Sequence, residues 1–250
     1  MHNIQLQTLF IGQKVIYLPM CQSTNSTALE MSEEAEGTVV LTFNQTAGRG
    51  QRGNSWEAAP YQNLTFSLIL KPTFLEANAQ FGLSMVAALG VYYFLKPYLD
   101  ENLKIKWPND MFYKKQKICG MLIENIIRKS QIERSVVGIG VNINQSEFET
   151  GLATSLSKIT NTSYSLEKLL AELYKKLEEQ YLTLKNHGIH TIRQNYIENL
   201  FWLDEDHFFI DAQGKRFMGK ISGIDEVGNL KVATTEGIRK FGFKEIVYDY

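Results

Sequence analysis

Asn44-Gln-Thr-Ala-Gly-Arg-Gly-Gln-Arg-Gly-Asn-Ser-Trp56 gathers three glycines and two arginines into one loop, directly after the β-rich run 37–44, GTVVLTFN. Glycines at 48, 50 and 53 let backbone approach a ligand and aim N–H groups at it. Arg49 and Arg52 add planar, multiply donating cations suited to phosphate or carboxylate. Positions 48–53 also spell G-x-G-x-x-G, but the dinucleotide fingerprint opens a helix, whereas this loop runs through Trp56 and Pro60 into another β-like run, 63–70. A Walker A loop fails too, because Asn54 stands where its lysine belongs. The chain thus sets an anion-suited loop between two strands, outside any doubly wound nucleotide fold. Taken alone, such a loop is equally an ordinary surface turn.

Upstream, residues 14–19 (KVIYLP) form a β-rich run, and the stretch from Asn25 to Ala35 has helical composition. Downstream, the apolar segment from Ala79 to Leu99 predicts a buried helix that Pro97 ends or kinks. LKIKW, MFYKK, KICGMLIENII and ERSVVGIGVNI then predict a mixed sheet, with KKQK as a hairpin turn. Residues 166–185 repeat Leu and Tyr at helical spacing, and 189–200 suggest a further helix. From about Leu203 short apolar runs are broken by Gly214, Gly219, Gly223, Gly228, Gly237 and Gly242, which suggests a small all-β barrel. The expected organisation is α+β: a domain over 1–202 with a mixed sheet and flanking helices, and a smaller one over 203–250.

Among 250 residues, 26 Lys+Arg against 27 Asp+Glu leave a net charge of -1, without the basic excess of a dedicated nucleic-acid binder. Cys21 and Cys119 are too far apart for a disulfide framework or a close metal-ligand pair, and read as reduced packing thiols. The start, MHNIQLQTLF, lacks a basic segment followed by an apolar core, and no apolar run reaches membrane-spanning length, so a cytoplasmic location is expected. His187 and His190 have no carboxylate or cysteine constellation around them.

Three further segments carry chemistry. Lys104-Ile-Lys-Trp-Pro-Asn-Asp110, followed by Lys117, brings lysines, an amide and a carboxylate to a strand end. There Asp110 suits a divalent cation beside a nucleotide, Asn109 a phosphate, and Lys117 the charge developed in phosphoryl or nucleotidyl transfer; Pro-Asn-Asp also serves as plain turn chemistry. Val137-Gly-Ile-Gly-Val-Asn-Ile-Asn144 reads as a strand whose glycines admit a close neighbour and whose Asn142 sits among apolar residues. Ser23-Thr24-Asn25 caps the first helix, a role compatible with ligand binding.

Taken in order, Ser23-Thr-Asn, Gln45-Thr-Ala-Gly-Arg-Gly-Gln-Arg-Gly, Lys106-Trp-Pro-Asn-Asp, Lys117-Ile-Cys-Gly-Met-Leu-Ile-Glu and Gly138-Ile-Gly-Val-Asn resemble the biotin–protein ligase family across residues 15 to 145. The Gly-punctuated tail looks like that family's SH3-like C-terminal domain. The resemblance implies a class II synthetase-like mixed sheet and a two-step reaction. Biotin and ATP give biotinyl-5′-AMP and pyrophosphate, with Mg²⁺, and a lysine of a biotin carboxyl carrier protein then takes the acyl group. It implies that Ser23, Thr24, Asn25, Gln45, Gly48, Arg49, Lys117 and Gly120 surround biotin. Arg52, Trp56, Asn109, Asp110 and Asn142 would serve the nucleotide, with Lys117, Arg49 and Asp110 catalytic and Asp110 also a Mg²⁺ contact.

Two departures stand out. Many members carry Arg where this chain has Gln51, so Arg52 shifts the loop's charge by one position; and only about 13 residues precede the first strand, so a DNA-binding helix-turn-helix and repressor function are not expected. The nearest alternative is a lipoate or octanoate ligase or transferase of the same fold, against which the Gly-Arg-Gly loop and Lys-Trp-Pro-Asn-Asp favour biotin. A non-catalytic biotin sensor or RNA-binding module is the alternative from another class. A strand near 132–143, if its edge is exposed, is a place for a homodimer or the carrier to pair.

Overall fold

The structure, a computed structural model, describes residues 6–250; the start of the N-terminal run, 1–5, and the side chain of Arg52 lie outside the described residues. In chain order the first elements are β1 (Val15–Leu18), α1 (Thr24–Glu30), β2 (Val39–Thr42), β3 (Gly48–Arg49), β4 (Ser55–Trp56), β5 (Leu64–Leu70) and α2 (Phe81–Leu95). There follow β6 (Leu103–Lys106), β7 (Asp110–Tyr113), β8 (Gln116–Arg128), β9 (Gln131–Val141), α3 (Leu156–Thr160), α4 (Leu166–His187) and α5 (Ile189–Glu198). The last are β10 (Asp206–Asp211), β11 (Arg216–Ile224), β12 (Leu230–Thr234), β13 (Gly237–Phe241) and β14 (Ile246–Tyr248).

Seven strands make the main sheet in the order β1-β2-β5-β9-β8-β7-β6. Only β1 and β2 run parallel; every other pair is antiparallel. β5 is buried along its whole length because both sheet faces are covered. Ala28 of α1 packs with Val40, Ile69 and Val136 on one face, while α2, α4 and α5 cover the other. α2 is apolar all round and lies between the sheet and α4, which presents Leu169, Leu173, Leu177 and Leu184 to the core at helical spacing. α2 stops at Leu95, just before Pro97. α1 stops at Glu30, short of the predicted Ala35, where the Arg134 guanidinium takes the carbonyls of Ala28 and Leu29.

The predicted KKQK turn joins β7 to β8, whereas α3 and the small β3–β4 hairpin inside the Gly/Arg loop escape sequence reading. One expectation is corrected. β9 is an interior strand, bonded to β5 on one side and β8 on the other, so residues 135–141 have no free edge to offer a second chain. Beyond α5 a five-stranded antiparallel sheet forms in the order β13-β12-β11-β10-β14. Its inner face, including Phe209, Ile221 and Val232, joins one hydrophobic core with α2 and α5.

Candidate active site

Strand register decides the floor of the site. Directly paired residues share a sheet face, so the pairs Thr42–Thr65, Thr65–Gly140, Gly140–Gly120, Gly120–Asp110 and Asp110–Lys106 place one row on the α1 face. A second row runs Ser67–Gly138–Leu122. The glycines make space there: a Cβ on Gly140 would stand 2.4 Å from Trp56 Cε2, and one on Gly120 2.8 Å from Trp56 Cζ3. The Trp56 indole therefore lies directly on the two glycines, carried by the β3–β4 hairpin.

The start of α1 makes one wall. Ser23 caps the helix, and the Thr24 N–H donates to Gln45 Oε1 at 2.9 Å. The Ser67 hydroxyl lies 2.8 Å from Thr24 Oγ1 and 2.5 Å from Asn25 Oδ1. The Asn25 amide donates to Leu122 O at 3.1 Å and to Glu124 Oε2 at 2.9 Å. Gly138 is what lets Asn25 sit so low, since a Cβ there would meet Asn25 Oδ1 at 2.1 Å.

Charges collect further along the floor. Lys117 Nζ is 2.8 Å from Asp110 Oδ1 and 5.5 Å from the centre of the Trp56 ring. Arg49 pairs with Glu124 at 2.7 Å, pinning the loop to β8. Lys106 sits among the rings of Phe112, Tyr248 and Tyr250, where burial lowers its pKa, Asp110 opposes that shift and Lys117 adds to it. Behind the floor, burial pushes the Cys119 thiol far up, leaving it a packing group. The loop before β7 is held from outside by Trp107 Nε1 donating to Gly228 O, 2.9 Å, and the Tyr196 hydroxyl donating to Pro108 O, 3.0 Å.

These groups surround a cavity of about 370 Å³. Ser23, Thr24, Asn25, Gln45, Arg49, Trp56, Asn109, Asp110, Lys117 and Gly120 all line it. Two anticipated residues stand apart from its wall. Gly48 closes the β3–β4 hairpin, where a Cβ would strike Trp56 O, and Asn142 turns its amide to Thr154 O at 3.0 Å. The Asn142 Oδ1 is buried and has no hydrogen-bond partner among the described residues. Sequence reading missed Thr65, Lys106, Lys244, Tyr248 and Tyr250 as lining residues. The Lys106-Trp-Pro-Asn-Asp motif was a signal for Lys106. The others reach the cavity only through sheet register or the return of the C-terminal sheet.

A cavity that runs from a neutral hydrogen-bonding wall to a cluster of cations around one carboxylate defines a small-molecule site for an anionic ligand. The model described as "Biotin/lipoate A/B protein ligase family" matches residues 17–142, and the chain belongs to that family. It is 31% identical over 243 residues to the bifunctional ligase/repressor BirA of Bacillus subtilis, covering 94% of this chain and 74% of that protein. With the biotin–[acetyl-CoA-carboxylase] ligase of Paracoccus denitrificans the identity is 31%, over 85% of this chain and 91% of the relative. The Aquifex aeolicus biotin protein ligase in complex with biotin and ATP superposes with a TM-score of 0.80 at 26% identity, covering 95% of this chain and 100% of that one. No helix among the described residues is long and apolar enough to cross a membrane.

Proposed function

We propose that the chain is an ATP-dependent biotin–protein ligase. The observation that carries this reading is the order of chemistry along one cavity: neutral donors and acceptors at α1, Arg49 and Lys117 in the middle, Asn109 and Asp110 beyond. A bicyclic urea offers N–H donors and a carbonyl acceptor to the polar wall of Ser23, Thr24, Asn25 and Gln45; an alkyl chain or dithiolane offers that wall no hydrogen-bonding group, which disfavours the lipoate or octanoate alternative.

In the first step a biotin carboxylate oxygen attacks the α-phosphorus of ATP. The bond to the bridging oxygen breaks, its electron pair leaves with pyrophosphate, and biotinyl-5′-AMP forms. Carboxylate and triphosphate repel, so fixed cations must bring them together; Lys117 and Arg49, both lining the cavity, would supply that charge. In the second step a carrier-protein lysine amine attacks the acyl carbon, AMP leaves, and the amine's proton passes to solvent.

Among the described residues no group of three or more His, Cys, Asp or Glu would hold a metal unaided. One carboxylate suits Mg²⁺ that arrives bound to phosphates, and Asp110 is the acid that lines the cavity. Asp110 would hold the ion there, and the ion would neutralise charge on the phosphates. The partners in this reading are biotin, ATP and the biotin carboxyl carrier domain of a biotin-dependent carboxylase, in the cytoplasm. Exchange of labelled pyrophosphate into ATP, with biotin, lipoate or octanoate as the added acid, tests it: biotin-dependent exchange is expected, and exchange with lipoate or octanoate instead would overturn it.

A further inference from the structure

Lys106 stands at the far end of the floor row, one strand beyond Asp110. Its Nζ lies 4.6 Å from the centre of the Phe112 ring, 4.9 Å from that of Tyr248 and 5.1 Å from that of Tyr250. Aromatic faces stabilise a cation but accept no conventional hydrogen bond. An ammonium carries three N–H donors, and none of those on Lys106 has a hydrogen-bond or ion-pair acceptor among the described residues. Asp110 acts on it only at longer range, its carboxylate being taken by Lys117. A half-buried cation with idle donors, facing a cavity, is a group held ready for an anion.

Position says which anion. From Thr65 on β5 to Lys106 on β6 the row crosses four strand intervals, about 19 Å at the usual spacing. The neutral wall at α1 takes one end and Lys117 the middle. A carboxylate joined to the α-phosphate at Lys117 would leave the rest of the triphosphate pointing toward Lys106. We propose that Lys106 is a further substrate-binding residue of this site, which takes the terminal phosphates of the nucleotide, the part that departs as pyrophosphate. Phe112, Tyr248 and Tyr250 hold it in place, so β14 of the C-terminal sheet contributes to nucleotide binding.

This assignment rests on the ATP-dependent reading above, and its test is separable from it. Inorganic pyrophosphate is titrated calorimetrically into the wild-type chain, Lys106→Met and Lys106→Arg, with neither biotin nor turnover required. Loss of one charge-assisted contact predicts affinity weakened by about tenfold or more in Lys106→Met, and largely restored in Lys106→Arg. The companion measurement is the thermal unfolding midpoint of each variant, and a midpoint for Lys106→Met close to that of the wild type shows that weakened pyrophosphate binding comes from the lost ammonium and not from unfolding. Pyrophosphate affinity unchanged in Lys106→Met, or no binding by the wild type, overturns the assignment of Lys106. Wild-type protein that binds pyrophosphate through Lys106 but shows no biotin-dependent exchange overturns the ligase reading alone.

Discussion

Lys117 Nζ lies 2.8 Å from Asp110 Oδ1 across the β7–β8 pairing, so the central cation of the cavity is neutralised by its own neighbour. An anionic substrate must compete for that ammonium, and a metal ion for that carboxylate. Replacing Lys117 with Met is expected to lower biotin-dependent pyrophosphate exchange by about 10²–10³, the usual loss of one charge-stabilising donor, with the unfolding midpoint little changed. Exchange retained within a few-fold would remove Lys117 from the reaction. Asp110→Asn should raise the Mg²⁺ concentration needed for half-maximal exchange.

Gly140→Ala would drive a methyl group into the Trp56 indole, at 2.4 Å from Cε2. Because the ring rests on backbone it must leave the floor. The expected result is a shifted tryptophan emission together with weaker biotin binding by about tenfold or more, the scale of one displaced packing group. An unchanged spectrum and unchanged affinity would mean that the indole is not seated on Gly140 in solution.

Glu178 is a buried carboxylate of α4 that accepts the backbone N–H groups of Leu9, at 2.6 Å, Phe10, at 2.8 Å, and Ile11, at 2.9 Å. It ties the segment ahead of β1 to the helical layer. Glu178→Ala should leave those donors without an acceptor and cost about 2–4 kcal/mol in urea unfolding. An unaltered midpoint would show that the tie contributes nothing.

Asp211 gives the C-terminal sheet an acid-sensitive lock. The Arg239 guanidinium, bonded at 2.8 Å, holds its carboxyl below the usual value, helped by the N–H groups of Lys215 and Gln213. A pKa lower in the folded than in the unfolded chain contributes stability in full above the unfolded value, about 3.9, and loses it as pH falls through the folded one. Unfolding midpoints measured down that acid range should fall more steeply for the wild type than for Asp211→Asn. Parallel curves would rule the lock out.

The Arg49–Glu124 ion pair fastens the Gly/Arg loop to β8 at 2.7 Å. Partial exposure limits such a pair to about 1 kcal/mol, enough to shift the loop's opening several-fold. Glu124→Gln should speed limited proteolysis within residues 44–56, and biotin with ATP should slow it in the wild type, where ordering over the adenylate would exclude water. Equal cleavage with and without ligands would count against closure.

Most elements were legible in the chain because their patterns are local. The Leu stripe of 166–185, the apolar block ending before Pro97 and the hairpin at KKQK each announce themselves within a few turns or strands. α3 was not legible, being one short turn capped by Ser155. Whether the strand at 132–143 has an exposed edge was not legible either: β8 adjoins it in sequence, but the strand that covers its other edge, β5, lies far upstream in the chain. In the site, glycines, arginines and Asn-Asp were recognisable by residue type. Gly48 and Asn142 carried the right chemistry without reaching the cavity wall.

What the sequence determined by itself is which chemistries are present and on what kind of local structure, since helical period, strand alternation and turn residues act over a few positions. Only the tertiary structure decided that Thr65, Gly140, Gly120, Asp110 and Lys106 lie in one row, that Trp56 rests on its glycines, and that Tyr248 and Tyr250 enclose Lys106. A one-residue slip in any of those pairings would turn that strand's part of the row to the other face of the sheet, and register is settled by burial of both faces at once.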